Sequence, residues 1–280
     1  MKPSYSFHSH TYRCGHASGD IEDYVKEAIK HDFKLLGTSD HVFLPGVHEP
    51  YMRGEYELLD SYIETFNKAK DKYGDQIEMH LGFECEYSEI FCDYYVSLLK
   101  ENKVEYLICG QHCQYDKNLH ALGYFNYRYI DNEPGIEEYM YDVIDAIRSG
   151  LFFYIAHPDL FMYSVTEITP FIKHVFIQII DNAVKYDIPL ELNVSGYYRD
   201  EENSRRGTIG YPCKEFWELA KEKGAKIIFG GDYHSVEAFS DTYCVSKLNK
   251  LIEELGLELC DPDDEFKKYK NKINKSLKSS

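Results

Sequence analysis

The sequence predicts an α/β protein in which seven βα units close into a barrel. Short apolar or β-branched runs alternate with longer amphipathic stretches along the chain, which is the pattern of helices around a parallel sheet. A length of 280 residues suits one such barrel, because these domains commonly take about 250 residues. No Gly-rich dinucleotide turn follows the first predicted strand, so a barrel is favoured over an open doubly wound sheet.

The predicted strands and helices alternate in strict order. The strands cover residues 5–10, 34–41, 78–86, 105–112, 152–157, 189–195 and 226–234. The helices cover residues 21–30, 56–73, 91–100, 136–148, 170–186, 212–223 and 245–255. Thr169 and Pro170 form an N-cap and first-turn pair, and Gly150 and Gly256 stand where helices should end. The longest irregular loops, 42–55 and 114–133, follow the second and fourth strands, where substrate-binding loops of barrels lie.

The predicted domain organisation is a single barrel of residues 1–265 followed by a Lys-rich tail of residues 266–280. The tail sequence FKKYKNKINKSLKSS is typical of a solvated helix or a frayed terminus.

Composition indicates which kind of ligand the protein binds and in which compartment we expect it. A formal net charge of −17 argues against nucleic acid, because affinity for a phosphate backbone comes mainly from Lys and Arg, and it favours a small-molecule substrate. The sequence shows neither a signal peptide nor an apolar run that could cross a membrane, so we expect a cytoplasmic protein without membrane contact. The eight Cys include no C-x-x-C pair, which agrees with reduced thiols. Oligomeric state cannot be read from these features.

His and acidic residues gather where the predicted strands end. These positions are His8, His10, Asp40, His41, Glu84, Glu86, His112, His157, Asp232 and His234. Since parallel strands end at one rim of a barrel, these side chains should lie close together. Residues two apart on a strand share a face, so His8 projects with His10 and Asp232 with His234.

Taken singly, each strand His would more often be a hydrogen-bonded core residue than a ligand. Together they predict a metal centre, because so many buried polar groups would be costly unless they bound cations. The nine candidate ligands are His8, His10, His16, His41, Glu84, His112, His157, Asp232 and His234. One catalytic zinc needs three protein ligands, so nine indicate more than one metal.

The motifs also carry a family resemblance. They are His8-x-His10-Thr11, Cys14-Gly15-His16, Ser39-Asp40-His41, Gly82-x-Glu84, Gly110-x-His112, Ala156-His157-Pro158 and Gly231-Asp232-x-His234. In this order they resemble the polymerase and histidinol phosphatase (PHP) family, and its stand-alone members in particular. The resemblance implies a distorted (βα)7 TIM-like barrel.

The resemblance further implies three divalent metal ions, with Zn, Mn and Fe as the candidates. It assigns His8, His10, Glu84 and Asp232 to one ion, Glu84, His112 and His157 to a second, and His16, His41 and His234 to a third. The implied reaction is hydrolysis of a phosphate ester, L-histidinol phosphate, by a hydroxide shared between metals. A nucleotide or oligonucleotide phosphoesterase and a non-catalytic metal-binding relative are the alternatives.

Residues that touch substrate are harder to predict. Asp232, His234 and Asp40 are the candidates for proton transfer to or from the reacting groups. Arg199 is the first candidate to hold phosphate and Arg13 the second. Arg53, Arg205 and Arg206 could also reach inward from loops. Glu86 would contact the substrate amine or orient a ligand His. Aromatic side chains that could pack on an imidazole ring are Tyr115, Tyr124, Tyr197 and Tyr198.

Overall fold

A parallel sheet curls into the barrel in the computed structural model, which describes residues 2–119, 121–122 and 127–279. Four strands pair in chain order, all parallel: β1 (Tyr5–Ser6), β2 (Leu35–Thr38), β3 (Glu78–Cys85) and β4 (Tyr106–Cys109). Two later strands, β7 (Leu190–Asn193) and β8 (Ile227–Gly230), form a second parallel pair. A short antiparallel hairpin, β5 (Gln114–Tyr115) with β6 (Ala121–Leu122), lies after β4.

Single-residue bridges join the two parallel groups into a ring. Ile155 bridges Cys109 on one side and Leu190 on the other, so it occupies the fifth position of the barrel. Ser9 bridges Tyr233, and the His10 backbone N–H donates to Tyr233 O at 2.8 Å, which joins the first and last strands. Seven parallel positions therefore surround the axis, and the predicted (βα)7 order is confirmed, although the fifth predicted strand is reduced to one bridging residue.

Helices lie between the strands as the periodicity predicts. They are α1 (Ile21–Lys30), α2 (Leu59–Tyr73), α3 (Cys92–Lys100), α4 (Glu133–Ser149), α5 (Pro170–Tyr186), α6 (Asp200–Arg206), α7 (Lys214–Glu222), α8 (Thr242–Leu255) and α9 (Pro262–Ser279). The Thr169 hydroxyl caps α5 by accepting from the Ile172 backbone N–H, and Gly150 and Gly256 end α4 and α8 in the left-handed conformation. The short helix α6 was not predicted, and the C-terminal run, interpreted as a solvated helix or a frayed terminus, forms helix α9.

Helix α9 contains the residue at which the Lys-rich tail was predicted to begin. The helix starts at Pro262, four residues before Phe266, and continues to Ser279. Phe266, Tyr269 and Ile273 form one buried stripe of this helix. The Phe266 ring lies 5.0 Å from that of Phe7 and 5.3 Å from that of Phe153, so α9 packs on the barrel core.

We expect Phe266→Ala to lower the free energy of unfolding by about 3 kcal/mol, because it removes a buried ring and leaves a cavity between α9 and the barrel. Denaturant unfolding checks this value, with Lys267→Ala on the exposed face of the same helix as the matched control. A Phe266→Ala protein as stable as the Lys267→Ala protein would contradict the packing of α9.

None of the helices in the described part of the chain combines the length and apolarity that a membrane span requires.

Candidate metal centre

The Glu84 carboxylate, at the end of β3, lies at the middle of the predicted ligand set. Its Oε1 atom lies 2.9 Å from His157 Nε2 and 3.4 Å from His8 Nε2. His112 Nε2 lies 3.6 Å from the same oxygen. Glu84 is 1 % exposed, and these three imidazoles come from three different barrel positions. The rim of the barrel therefore brings the ligands together as the strand ends predict.

The second oxygen of Glu84 extends the cluster towards the first and last strands. Glu84 Oε2 lies 3.0 Å from His41 Nδ1 and 3.5 Å from His10 Nε2. His10 Nε2 also lies 3.1 Å from Asp232 Oδ1, which in turn lies 3.3 Å from His234 Nδ1. Two carboxylates thus connect the imidazoles into one continuous group.

The outermost members are His16 and His234, whose Nε2 atoms lie 3.1 Å apart. Burial and the neighbouring His10 lower the pKa of His234 to about 3. Burial also lowers the pKa of His16, and that of His41 falls well below its ordinary value for the same reason. These imidazoles are neutral at physiological pH, which is the state that binds metal. The structure brings all nine predicted ligands together.

The chemistry of this cluster fits divalent metal ions. Among the described residues, buried polar atoms without a hydrogen-bond partner concentrate here: His8 Nε2, both ring nitrogens of His10, His41 Nδ1, Glu84 Oε2 and His157 Nδ1. Buried polar atoms are normally paired, so such a concentration needs a cation or water to satisfy it. Four of the groups of side chains close enough to share an ion consist of predicted ligands only. The cluster is therefore a site suited to divalent metals.

Charge supports the same conclusion. Burial would raise the pKa of Glu84, but His8, His112 and His41 hold it well below its ordinary range, so the carboxylate is ionised. Burial would lower the pKa of His8, whereas the carboxylates of Glu191, Asp232 and Glu84 raise it well above its ordinary value. A pocket whose carboxylates attract a proton this strongly also attracts metal cations.

Glu191, on β7, is a functional residue that the sequence reasoning missed. Its Oε1 lies 2.8 Å from His8 Nδ1, and its Oε2 accepts from the His157 backbone N–H at 3.1 Å. This contact fixes the His8 ring so that Nε2 faces Glu84. A Cβ at Gly230 would lie 1.8 Å from Glu191 Oε1, so the neighbouring strand needs glycine there. Glu191 shares a strand face with Asn193, and this spacing was the available signal.

Glu86 contacts a ligand imidazole, which is one of the two roles that the sequence suggests for it, and contact with the substrate amine stays a prediction. It is fully buried, and its Oε1 lies 2.9 Å from His112 Nδ1. Its Oε2 accepts from Arg53 Nη2 at 2.8 Å. Arg53 also donates to Glu49 and to the hydroxyl of Tyr115, so this arginine joins the loop after β2 to the centre and is not available to phosphate.

Asp40 contacts the backbone on both sides of the centre, and its role in proton transfer stays a prediction. The carboxylate is completely buried and lies 3.6 Å from His10 Nδ1. It accepts from the Thr11 hydroxyl and backbone N–H and from the His41 backbone N–H. These contacts occupy both oxygens and fix the chain next to the ligands His10 and His41.

Arg13 is engaged by neighbouring side chains, and its contact with phosphate stays a prediction. Its guanidinium forms an ion pair with Asp20, the N-cap of α1, and donates to the Thr65 hydroxyl at 3.2 Å. The Arg13 side chain is 2 % exposed. The residue therefore joins the first loop to α1 and α2.

Asp232 is held by two side chains from the end of β7. Ser195 Oγ donates to Asp232 Oδ2 at 2.6 Å, and Asn193 Nδ2 donates to the same oxygen at 3.3 Å. Asp232 and His157 also have positive φ angles of 47° and 31°, which non-glycine residues rarely adopt. Such backbone conformations persist where surrounding contacts enforce them, and here they turn both side chains into the cluster.

Arg199 lies near the centre on the short 3-10 helix Ser195–Arg199. Its side chain is 40 % exposed and its Nη1 lies 3.9 Å from Glu202. Of the predicted aromatic contacts, Tyr115 is buried against Arg53, while Tyr198 is 47 % exposed beside Arg199. Tyr197 is partly buried on the same turn. Tyr124 lies outside the described residues.

Comparison with known families accounts for this arrangement. The sequence matches the PHP domain over residues 6–195, which is more than half of the chain. The chain belongs to the PHP domain family. The matched region contains the candidate ligands from His8 to His157, and the candidate ligands Asp232 and His234 lie after it, at the end of the last strand.

Individual PHP relatives are distant but similar in length. A protein of Deinococcus radiodurans named "Probable histidinol-phosphatase" is 24 % identical over 81 % of this chain and 85 % of its own. A Bacillus subtilis protein named "Histidinol-phosphatase" is 25 % identical over 81 % of this chain and 92 % of its own.

A solved structure has the same fold. The histidinol phosphate phosphatase of Lactococcus lactis, complexed with Zn, L-histidinol and phosphate, superposes with a TM-score of 0.68. It is 16 % identical, over 91 % of this chain and 95 % of its own. This PHP protein therefore has the same barrel fold as that phosphatase.

Proposed function

We propose that this protein is a metal-dependent phosphatase that hydrolyses L-histidinol phosphate to L-histidinol and orthophosphate. The observation that carries the proposal is the centre itself, in which seven imidazoles and the carboxylates of Glu84 and Asp232 form one continuous group. Support for the substrate comes from the PHP relatives named histidinol-phosphatases and from the Lactococcus lactis phosphatase with L-histidinol and phosphate.

The ligand set would hold three divalent ions, and Zn, Mn and Fe all suit mixed imidazole and carboxylate ligands. Bound ions would act as Lewis acids towards the phosphoryl oxygens and lower the pKa of water at the site. Glu84 would contact more than one ion through its two oxygens, since each oxygen faces different imidazoles. Glu191 and Glu86 would keep His8 and His112 oriented as ligands.

The charge of Asp232 and the position of His234 bear on the chemistry of the proposed centre. Burial would raise the pKa of Asp232, but His8, His234 and His10 hold it well below its ordinary range. Asp232 is therefore ionised, which is the state in which a carboxylate binds a cation. Ser195 Oγ, which donates to Asp232 Oδ2, keeps that carboxylate directed at the cluster. His234 is 33 % exposed at the outer edge, where it would be the imidazole nearest the leaving group.

The test is orthophosphate release by protein reconstituted separately with Zn²⁺, Mn²⁺ or Fe²⁺, with elemental analysis of each sample. We expect L-histidinol phosphate to have the highest kcat/KM in a panel that includes aryl phosphates, nucleoside monophosphates and 3′-phosphorylated oligonucleotides. We also expect three metal ions per chain. Asp232→Asn, which keeps the shape of the side chain, should remove activity.

Two results would overturn the proposal. A preference for nucleotides or oligonucleotide ends would assign a different substrate. Metal-loaded protein that releases no phosphate from any ester would point to a non-catalytic metal-binding protein.

A further inference from the structure

Three arginines surround one buried tyrosine beside the metal centre. The guanidinium carbons of Arg128 and Arg199 each lie 5.8 Å from the centre of the Tyr163 ring, and that of Arg206 lies 4.7 Å from it. Tyr163 is fully buried. Guanidinium groups within about 6 Å of a ring face are held by it, so Tyr163 fixes their positions relative to one another. The three arginines come from two separate segments of the chain.

Tyr211 connects this arginine group to the metal ligands. Its ring centre lies 6.3 Å from that of His157. Tyr211 and Tyr163 belong to the same small buried cluster, together with Leu160. The ring that carries the arginines therefore packs in the cluster that contacts His157.

Arg128 is the inner member of the group. Burial would lower its pKa, but Tyr211 and Asp232, in that order, raise it above its ordinary value. Its backbone is tied to the centre on one side, because the Tyr127 backbone N–H donates to His112 O at 2.7 Å. On the other side, the Ser164 hydroxyl donates to Arg128 O at 2.7 Å. The Tyr127 hydroxyl also donates to Asp142 at 2.5 Å, so this segment has a defined position.

The charge of the group is the opposite of the charge of the protein. The chain carries a formal charge of −17, yet three guanidinium groups gather around the Tyr163 ring. Glu202 lies 3.9 Å from Arg199, which is long for a strong ion pair, and the Arg199 side chain is 40 % exposed. A planar guanidinium fork matches two oxygens of a phosphoryl group.

From this geometry we infer that Arg128, together with Arg199, binds the phosphoryl oxygens of the substrate on the His157 side of the centre. The Tyr163 ring keeps the two guanidinium groups close to each other. Arg206 packs on the same ring from helix α6. The inference rests on the proposed phosphatase function, and it assigns to residue 128 a substrate-positioning role.

The experiment compares Arg128→Met, Arg128→Lys and the exposed control Arg148→Met on helix α4, all as metal-loaded protein. Isothermal titration calorimetry gives the affinity for orthophosphate, and steady-state kinetics gives kcat and KM for L-histidinol phosphate. Because orthophosphate lacks a leaving group, Arg128→Met should weaken its affinity and raise KM by a similar factor, about ten- to a hundredfold. Arg128→Lys should restore part of the loss, and Arg148→Met should stay within about twofold of the parent. Metal content should be equal in all four proteins.

A rise in KM with unchanged orthophosphate affinity would show that Arg128 contacts the leaving group, and the inference would be wrong. It would also be wrong if Arg128→Met bound orthophosphate as tightly as the parent. If the parent does not hydrolyse L-histidinol phosphate, the proposed substrate fails, but the orthophosphate titrations still decide the role of Arg128.

Discussion

Glu84→Gln should abolish most phosphate release, with a loss of more than about a hundredfold, which is the upper range for residues that only orient a metal ligand. Gln preserves the shape of Glu84 but removes the charge, and a neutral amide cannot serve two cations at once. Both oxygens of Glu84 face imidazole nitrogens, at 2.9 Å for His157 and 3.0 Å for His41. The measurements are phosphate release and metal content by elemental analysis.

Glu78→Gln is the matched control, because Glu78 begins the same strand and its side chain is 56 % exposed. We expect Glu78→Gln to keep its metals and its activity. Full metal content in the Glu84→Gln protein would show that Glu84 does not join metal sites, whatever its activity.

Gly110→Ala should disrupt the centre without touching a ligand. A Cβ at position 110 would lie 1.8 Å from Glu84 Oε1 and 2.5 Å from Glu84 Cδ, so either the Glu84 side chain or the backbone after β4 must move. We expect loss of metal and activity, together with a free energy of unfolding lower by about 1–3 kcal/mol, the usual cost of overpacking. Metal analysis and denaturant unfolding of the same preparation give both quantities.

The result would be informative in either direction. If Gly110→Ala unfolds like the parent and keeps its metals, Glu84 has room to retreat and its position in the centre is less constrained than the contacts imply. A stable protein with reduced metal content would show that the position of Glu84 matters for the ions and not for the fold.

Much of the fold follows from sequence periodicity, because each apolar run needs cover on both faces and each helix carries one apolar stripe. The fifth strand shows the limit of this periodicity. The apolar run before His157 predicts a strand there, but the neighbouring strands determine that Ile155 alone forms bridges. In α9, Phe266, Tyr269 and Ile273 have helical spacing, yet the many lysines between them concealed this stripe. The seven residues of α6 have no apolar stripe to detect.

The ligands were predictable because strand ends share a rim, so their meeting depends on topology alone. The partners of those ligands were not, since Glu191 meets His8 across the barrel and Arg53 reaches Glu86 from a loop. Which carboxylate binds metal and which orients an imidazole depends on distances of a few ångström. Arg128 lies in a segment without periodicity, so nothing in its sequence pattern distinguished it.

The bridge between Ser9 and Tyr233 joins the first strand of the barrel to the last, so the metal centre depends on both ends of the chain. His8 and His10 flank one side of this seam, and Asp232 and His234 flank the other. During translation, the ligands of the first strand leave the ribosome more than two hundred residues before those of the last. The centre therefore forms only when the last strand docks on the first, and any ion bound across the seam then fastens the two strands together.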